Sequence, residues 1–209
     1  MPPGANGTLA LARMPEEEIV RRLRLVGQRG PQIPPEIILR PAAVLVPLLW
    51  YEDQWHLLFT RRTETVQSHK GQVSFPGGAV DPGDRSPEET ALREAYEEIG
   101  LLAQDVKVLG RLPDLVTISS YLVTPVVARI RWPYAFTLSP AEVSRVFTVP
   151  LAWLADPAHW EERMRINRLG QEEQVIYYQT YDGEVLWGIT GRITVRFLQA
   201  LIEDSPKAV

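Results

Sequence analysis

Residues 75–101 of the chain read FPGGAVDPGDRSPEETALREAYEEIGL, and the second half crowds three glutamates, Glu94, Glu97 and Glu98, into about a turn and a half of a predicted helix. Ser86 followed three residues later by Glu89, with Pro87 between them, is the sequence form of a capping box with proline at the first helical position, so the helix starts at Pro87. Gly100 closes it, glycine being the residue that most readily takes the left-handed conformation past a helix end. At about 100° per residue, Arg93, Glu94, Glu97 and Glu98 fall in one arc and Leu92, Ala95 and Ile99 in the opposite one. One face is core and the other is carboxylate. Glu94 and Glu98 are like charges four residues apart, a repulsion of roughly 0.2–0.5 kcal/mol on an exposed helix. Arg93 is placed to relieve Glu97, its i+4 neighbour, and no other.

A solvated acidic face would account for the glutamates alone. Two neighbouring features point to a ligand instead. The PGG run and a loop carrying Asp81, Gly83 and Asp84 lead an oxygen-rich turn straight into the helix. Carboxylates at i, i+3 and i+4 on one helix also suit a hard cation such as Mg²⁺ or Mn²⁺, which would offset their repulsion.

Around this stretch the chain is ordinary for a soluble protein. Its 209 residues are 45% hydrophobic, enough for one sizeable core, and the formal charge of -4 argues against a sequence-independent nucleic-acid binder, which needs a basic field. With no cysteine, disulfides, zinc–thiolate sites and cysteine nucleophiles are excluded. No stretch offers the roughly 18 unbroken apolar residues of a membrane span, and the N-terminus lacks the pattern of a secretory signal. A cytoplasmic protein with no membrane partner is expected.

Residues 1–14, rich in Pro, Gly and Ala, read as a mobile tail ahead of a single domain over residues 15–209. Pro15 and EEEIVRRLRLV open that domain with a helix ending near Gly27 to Gly30. AAVLVPLLW and QWHLLFTRR follow as a hairpin turned at Glu52 and Asp53. VKVLGRL, YLVTPVVARIRW, VSRVFTVPLAWL, RINRL and QVIYYQTYD read as further strands. Ile189, Ile193, Phe197 and Leu201 recur every four residues and mark a closing amphipathic helix. Strands flanked by helices imply an α+β fold, an α/β/α sandwich around a mixed sheet.

The run from Gly78 to Leu101 resembles the Nudix box: Gly, five residues, Glu, seven residues, then Arg-Glu-apolar-x-Glu-Glu-x-Gly-apolar. REAYEEIGL matches every fixed position of the second half. In the first half Asp84 stands where the early Glu is expected, with one extra residue before Arg93. The resemblance implies the Nudix fold with its curved mixed sheet, metal ligation by Glu94, Glu97 and Glu98, a catalytic set of Arg93, Glu97, Glu98 and Glu142, and hydrolysis of a nucleoside diphosphate linked to another moiety. It gives Asp84 no catalytic role. Glu142 precedes an apolar strand, where Nudix enzymes place an extra metal ligand or a base, although a helix N-terminal turn opened by Ser139 and Pro140 would explain it equally.

Upstream, LFTRRTETVQSHKGQVSFPGG resembles the signature of the coenzyme A pyrophosphatase branch of that family. Thr60, Arg62, Gly71 and Phe75 to Gly78 match, while Thr63 replaces a small residue and Gln67 stands where a second Arg is expected. SSYLVTPVVARI, EVSRVFTVPLAWLADP and LWGITGRI resemble the same branch, as does the lengthened loop before the helix. The resemblance therefore implies hydrolysis of CoA or acyl-CoA to 3′,5′-ADP and 4′-phosphopantetheine or its acyl form, with Mg²⁺ or Mn²⁺. The substrate-binding set it suggests is Arg61, Arg62, His69, Lys70, Gly77 and Gly78. The alternatives are a Nudix pyrophosphohydrolase for ADP-ribose, NADH or a nucleoside triphosphate, and a non-catalytic Nudix-fold sensor. A homodimer is compatible with either, with Trp187 as one contact.

Overall fold

The computed structural model describes residues 5–26, 30–34, 36–64, 71–166 and 172–202. Two helices, α1 (Ala5–Ala12) and α2 (Glu16–Val26), precede the strands β1 (Arg40–Tyr51), β2 (Gln54–Arg62), β3 (Val73–Ser74) and β4 (Gly77–Ala79). The glutamate-bearing helix is α3 (Pro87–Ile99). After it come β5 (Val106–Arg111), β6 (Leu115–Val116), β7 (Tyr121–Ile130), β8 (Val143–Pro150), α4 (Leu151–Ala155), β9 (Trp160–Ile166), β10 (Glu172–Tyr178) and α5 (Gly188–Ile202).

The hydrophobic run of β1 becomes the centre of an eight-stranded mixed sheet. It pairs antiparallel with β2 and β4 and parallel with β7, while β8 adds to β2 and β5 and β6 add to β7. Because strand side chains alternate, β1 feeds both faces. Ala42, Val46 and Leu48 enter a core shared with α1, α2, α4 and α5, whereas Ala43, Leu45 and Leu49 enter a second core under Ala91, Ala95 and Ile99 of α3. This is the expected sandwich, a helix on one face and four on the other. The β1–β2 turn forms at Glu52 (φ 49) and Asp53 (φ 57), two successive left-handed residues as a tight hairpin needs. No described helix is long and apolar enough to cross a membrane.

Two readings are corrected. Residues 5–12 of the expected mobile tail form α1, whose Leu11 and Ala12 are buried in the larger core. The following segment is tied down by the Trp55 Nε1–H donating to the Met14 carbonyl (2.8 Å). Leu11 and Ala12 are adjacent, so they leave no periodic trace. The PLAWL end of the fifth expected strand, VSRVFTVPLAWL, is instead α4, where Leu151, Leu154 and Ala155 are buried at helical spacing after Pro150. The closing helix stands as read, with Ile193, Phe197 and Leu201 buried. The strand expected at RINRL begins earlier, as β9, and its residues 167–169 lie outside the described residues.

His56 is buried in β2 with neither ring nitrogen partnered, and burial holds its pKa below the ordinary 6.5, against the opposing pull of Glu52. The unfolded chain therefore takes up this proton first. The neutral ring costs no pH-linked stability above 6.5, and stability falls as the pH drops through that value. We expect His56→Leu to raise stability by about 1 kcal/mol at neutral pH and to lose less than the parent between pH 8 and 5.5. Denaturant titrations at the two pH values check this.

Candidate active site

The N-terminus of α3 is set as its capping residues dictate. Ser86 is extended (φ -157, ψ 159), its Oγ accepts the Glu89 N–H (3.2 Å), and Pro87 follows. Glu89 returns its carboxylate to the Arg85 N–H (2.8 Å), one residue earlier than a full capping box would. Gly100 (φ 68) ends the helix, its N–H reaching back to the last turn. With both ends fixed, Ala91, Ala95 and Ile99 pack on β1 and the carboxylates turn toward β4.

Glycines admit them. A Cβ at Gly77 would lie 2.5 Å from the Ala43 carbonyl, and one at Gly78 would lie 2.4 Å from Oε1 of Glu94. At Gly77 the obstacle is the β1 backbone, and at Gly78 it is the Glu94 carboxylate, which a side chain there would push aside. The glutamates then grade from inside to outside: Glu98 is 3% exposed, the Glu94 side chain 17% and the Glu97 side chain 52%. The helical arc thus spans from core to solvent, and Glu98 sits at its buried margin.

Arg93 links the parts. Its Nη1 donates to Glu94 Oε1 and Glu97 Oε2, both at 3.0 Å, and its Nη2 to the Ala79 carbonyl and Asp84 Oδ2, again at 3.0 Å. Its Nε reaches Asp84 Oδ1 at 3.2 Å. The expectation that Arg93 serves Glu97 alone is therefore corrected, because Glu94 bends back across its neighbour's guanidinium. Asp84, given no role from the sequence, is the anchor of Arg93. It also accepts from Thr90 Oγ1 (2.9 Å) and the Asp81 N–H (2.9 Å). These bonds, the Arg93 one first, hold its carboxyl down at about 2. The signal was present in the sequence: Asp84 occupies the acidic position of the box pattern.

Burial pushes Glu98 up to about 8, with Arg62 opposing and the charges of Glu94 and Glu142 adding. Burial also raises Glu94, against the Arg93 hydrogen bond and with Glu97 and Glu142 adding. Glu142 is exposed on a turn, its carbonyl accepting the Thr63 N–H (2.9 Å) while the Glu98 carbonyl accepts the Ser139 N–H (2.8 Å). The turn expected at Ser139 and Pro140 is present, the Ser139 carbonyl accepting the Glu142 N–H (3.0 Å) and the Val143 N–H (2.9 Å), but it does not extend into a helix, because β8 starts at Val143. Four carboxylates therefore share one field.

Of the basic residues, Arg62 is near enough for its charge to act on Glu98, and its Nε is buried without a hydrogen-bond partner. Arg61 turns instead to Glu184 and Glu64, each at 3.3 Å, in a cleft it shares with Arg145. His69 and Lys70 lie outside the described residues. Among the described residues no three acidic or histidine groups already converge at ligating geometry, since Arg93 draws Glu94 and Glu97 toward itself. The donor chemistry nevertheless fits a hard divalent cation. Every donor is a carboxylate oxygen, and Oε2 of Glu98 is buried with nothing to bind.

A fold with this helix against this loop, glycine strand and carboxylate field is that of the Nudix domain, whose family model matches residues 39–169. The chain belongs to the Nudix family and is a Nudix hydrolase, a class that acts with divalent metal on nucleoside diphosphate derivatives. Among its relatives is the uncharacterized Nudix hydrolase NudL of Photorhabdus laumondii subsp. laumondii, 41% identical over 160 residues, which are 77% of this chain and 84% of that protein. NudL of Pectobacterium atrosepticum is 40% identical over 192 residues, 90% of this chain and 95% of its own length. A MutT/nudix family protein from Enterococcus faecalis superposes with a TM-score of 0.51 at 14% identity, over 99% of this chain and 78% of that one, a likeness of fold alone.

Two variants probe the geometry. Asp84→Ala frees Arg93 from its anchor, and we expect kcat/KM to fall about 10–100-fold with the circular dichroism spectrum retained. Gly78→Ala displaces the Glu94 carboxylate, so we expect weaker Mn²⁺ binding by calorimetry with little change in melting temperature.

Proposed function

We propose that this Nudix hydrolase cleaves the diphosphate of CoA or acyl-CoA, releasing 3′,5′-ADP and 4′-phosphopantetheine or its acyl form. The observation that carries the reading is Arg62. It belongs to the LFTRRTETVQSHKGQVSFPGG run that resembles the CoA branch, its charge acts on Glu98, and its Nε is buried without a hydrogen-bond partner. A guanidinium there places directional donors for phosphate oxygens beside the carboxylates. NudL relatives at about 40% identity accord with the class and leave the substrate to this motif.

In this reading Glu94, Glu97 and Glu98 hold Mg²⁺ or Mn²⁺, which when bound neutralises the diphosphate and acidifies a water. Arg93 sets the directions of Glu94 and Glu97 while Asp84 keeps the guanidinium still. Arg62 receives substrate phosphate, and Gly77 and Gly78 keep the wall of the site free of side chains. Glu142, exposed and electrostatically coupled to Glu94 and Glu98, is open to water and suited to accept its proton. Hydrolysis of ADP-ribose, NADH or a nucleoside triphosphate is the second reading, motivated by Gln67 at the place of the second signature arginine. A sensor without chemistry would not need an intact REAYEE stretch.

Incubation with Mg²⁺ and a panel of CoA, acetyl-CoA, ADP-ribose, NADH and ATP, with products identified by mass, separates these readings. We expect CoA or its acyl form to show the highest kcat/KM and to yield 3′,5′-ADP. Equal or faster turnover of ADP-ribose would overturn the CoA assignment. Glu98→Gln should reduce kcat on the best substrate by more than about 100-fold, beyond what loss of an outer-shell partner costs; unchanged hydrolysis would sink the metal-site reading.

A further inference from the structure

Away from the carboxylate site, β9 and β10 form a two-stranded sheet of their own. β9 pairs with β10 along its whole length, from Trp160–Tyr178 to Ile166–Glu172, and at Tyr177 and Tyr178 the other edge of β10 meets Trp187 and the Leu186 carbonyl. Among the described residues β9 is paired on one side only. Glu161 through Ile166 are all exposed, including Met164 at 63% and Ile166 at 70%.

Exposed strand edges are normally blunted by charged residues, prolines or bulges. The β9 sequence WEERMRI carries charges of both signs in an order that makes it complementary to itself. Its acids come first and its arginines last, so an antiparallel copy brings opposite signs together. We propose that β9 is the edge at which two copies of this chain pair, antiparallel, about a two-fold axis through Arg163.

The register follows from symmetry. A two-fold axis normal to the sheet leaves each side chain on its own face, so directly opposed residues share parity and the axis passes through a residue. Centring on Glu162 would pair Glu161 with Arg163 but oppose two Glu162 carboxylates whose own partner is the neutral Gln174, and centring on Met164 would oppose Arg163 to Arg165. Centring on Arg163 sets Glu161 against Arg165 twice and Trp160 against Ile166 twice. It also lays Met164 along the aliphatic part of Glu162. The one like-charge pair is Arg163 with its copy. Each of these is already held by its own Glu161 (2.7 Å from Nε) and lies over the Tyr177 ring, 4.8 Å from the centroid. Arg165 is similarly steadied over Trp187, 5.4 Å from its centroid. The two hairpins then form one four-stranded sheet. A seven-residue edge is small beside the roughly 800 Å² per partner of a standard interface, so the pair is a concentration-dependent dimer.

The absence of cysteine makes the test clean. Arg163→Cys lies opposite itself in the pair, so under mild oxidation it is expected to form a disulfide-linked dimer rapidly, while Gln174→Cys, exposed on β10, does not. Sedimentation across a concentration series is the second measurement. Glu161→Arg and Arg165→Glu should each weaken association roughly tenfold, and the double variant, which restores opposite charges, should recover it. Crosslinking of Arg163→Cys no faster than Gln174→Cys, a monomer at every concentration, or a double variant as weak as either single one would overturn the proposal.

Discussion

The guanidinium of Arg93 is the constraint around which this site is organised. It has donors on three sides of a plane, and the structure gives them to four groups: Asp84, the Ala79 carbonyl, Glu94 and Glu97. These come from the end of β4, from the loop before α3 and from two successive turns of α3. Without that cation the loop would lose its register on the helix and two carboxylates would face one another uncompensated. The residual tension is concentrated at Glu98, where a buried oxygen has no protein partner. A protein interior seldom keeps such an atom unless something else binds there.

The same site shows which part of a fold is written locally. Helix α3 was legible to the residue because its limits are local chemistry: a serine cap, a proline at the first position and a left-handed glycine. The β1–β2 hairpin and the long α5 were legible from alternation and from period. What escaped was structure decided by distant partners. α1 exists because Leu11 and Ala12 meet the larger core, and α4 exists because three residues past Pro150 find that same core. In the site, spacing located the three glutamates but not the depth of each. Burial of Glu98 depends on β4 and Arg62, and no helical wheel contains either. Asp84 was passed over because a shorter acid stood where a longer one was expected, and only the folded loop shows it reaching Arg93.

The basic residues teach a related lesson. Arg61 and Arg62 are neighbours of one type at the end of β2, yet Arg61 forms an ion pair with Glu184 while the charge of Arg62 acts on Glu98. Sequence assigns both to phosphate, whereas successive strand side chains point to opposite faces, and the pairing of β2 with β8 also shifts register between these two. Adjacent residues on a strand are not a cluster. The carboxylates of α3, three and four residues apart, are one.

Finally, β1 joins β2 through a two-residue turn but lies parallel to β7, some 70 residues later in the chain. Such a pairing closes a long loop before any of its hydrogen bonds can form. A growing chain will therefore make its hairpin and α3 early, yet the apolar stripe of that helix, Ala91, Ala95 and Ile99, will lack the Val126 and Ala128 side of its bed until β7 has emerged. Birth on the ribosome is thus the moment of greatest exposure for this protein, and the interval between α3 and β7 is when it most needs shielding from its neighbours.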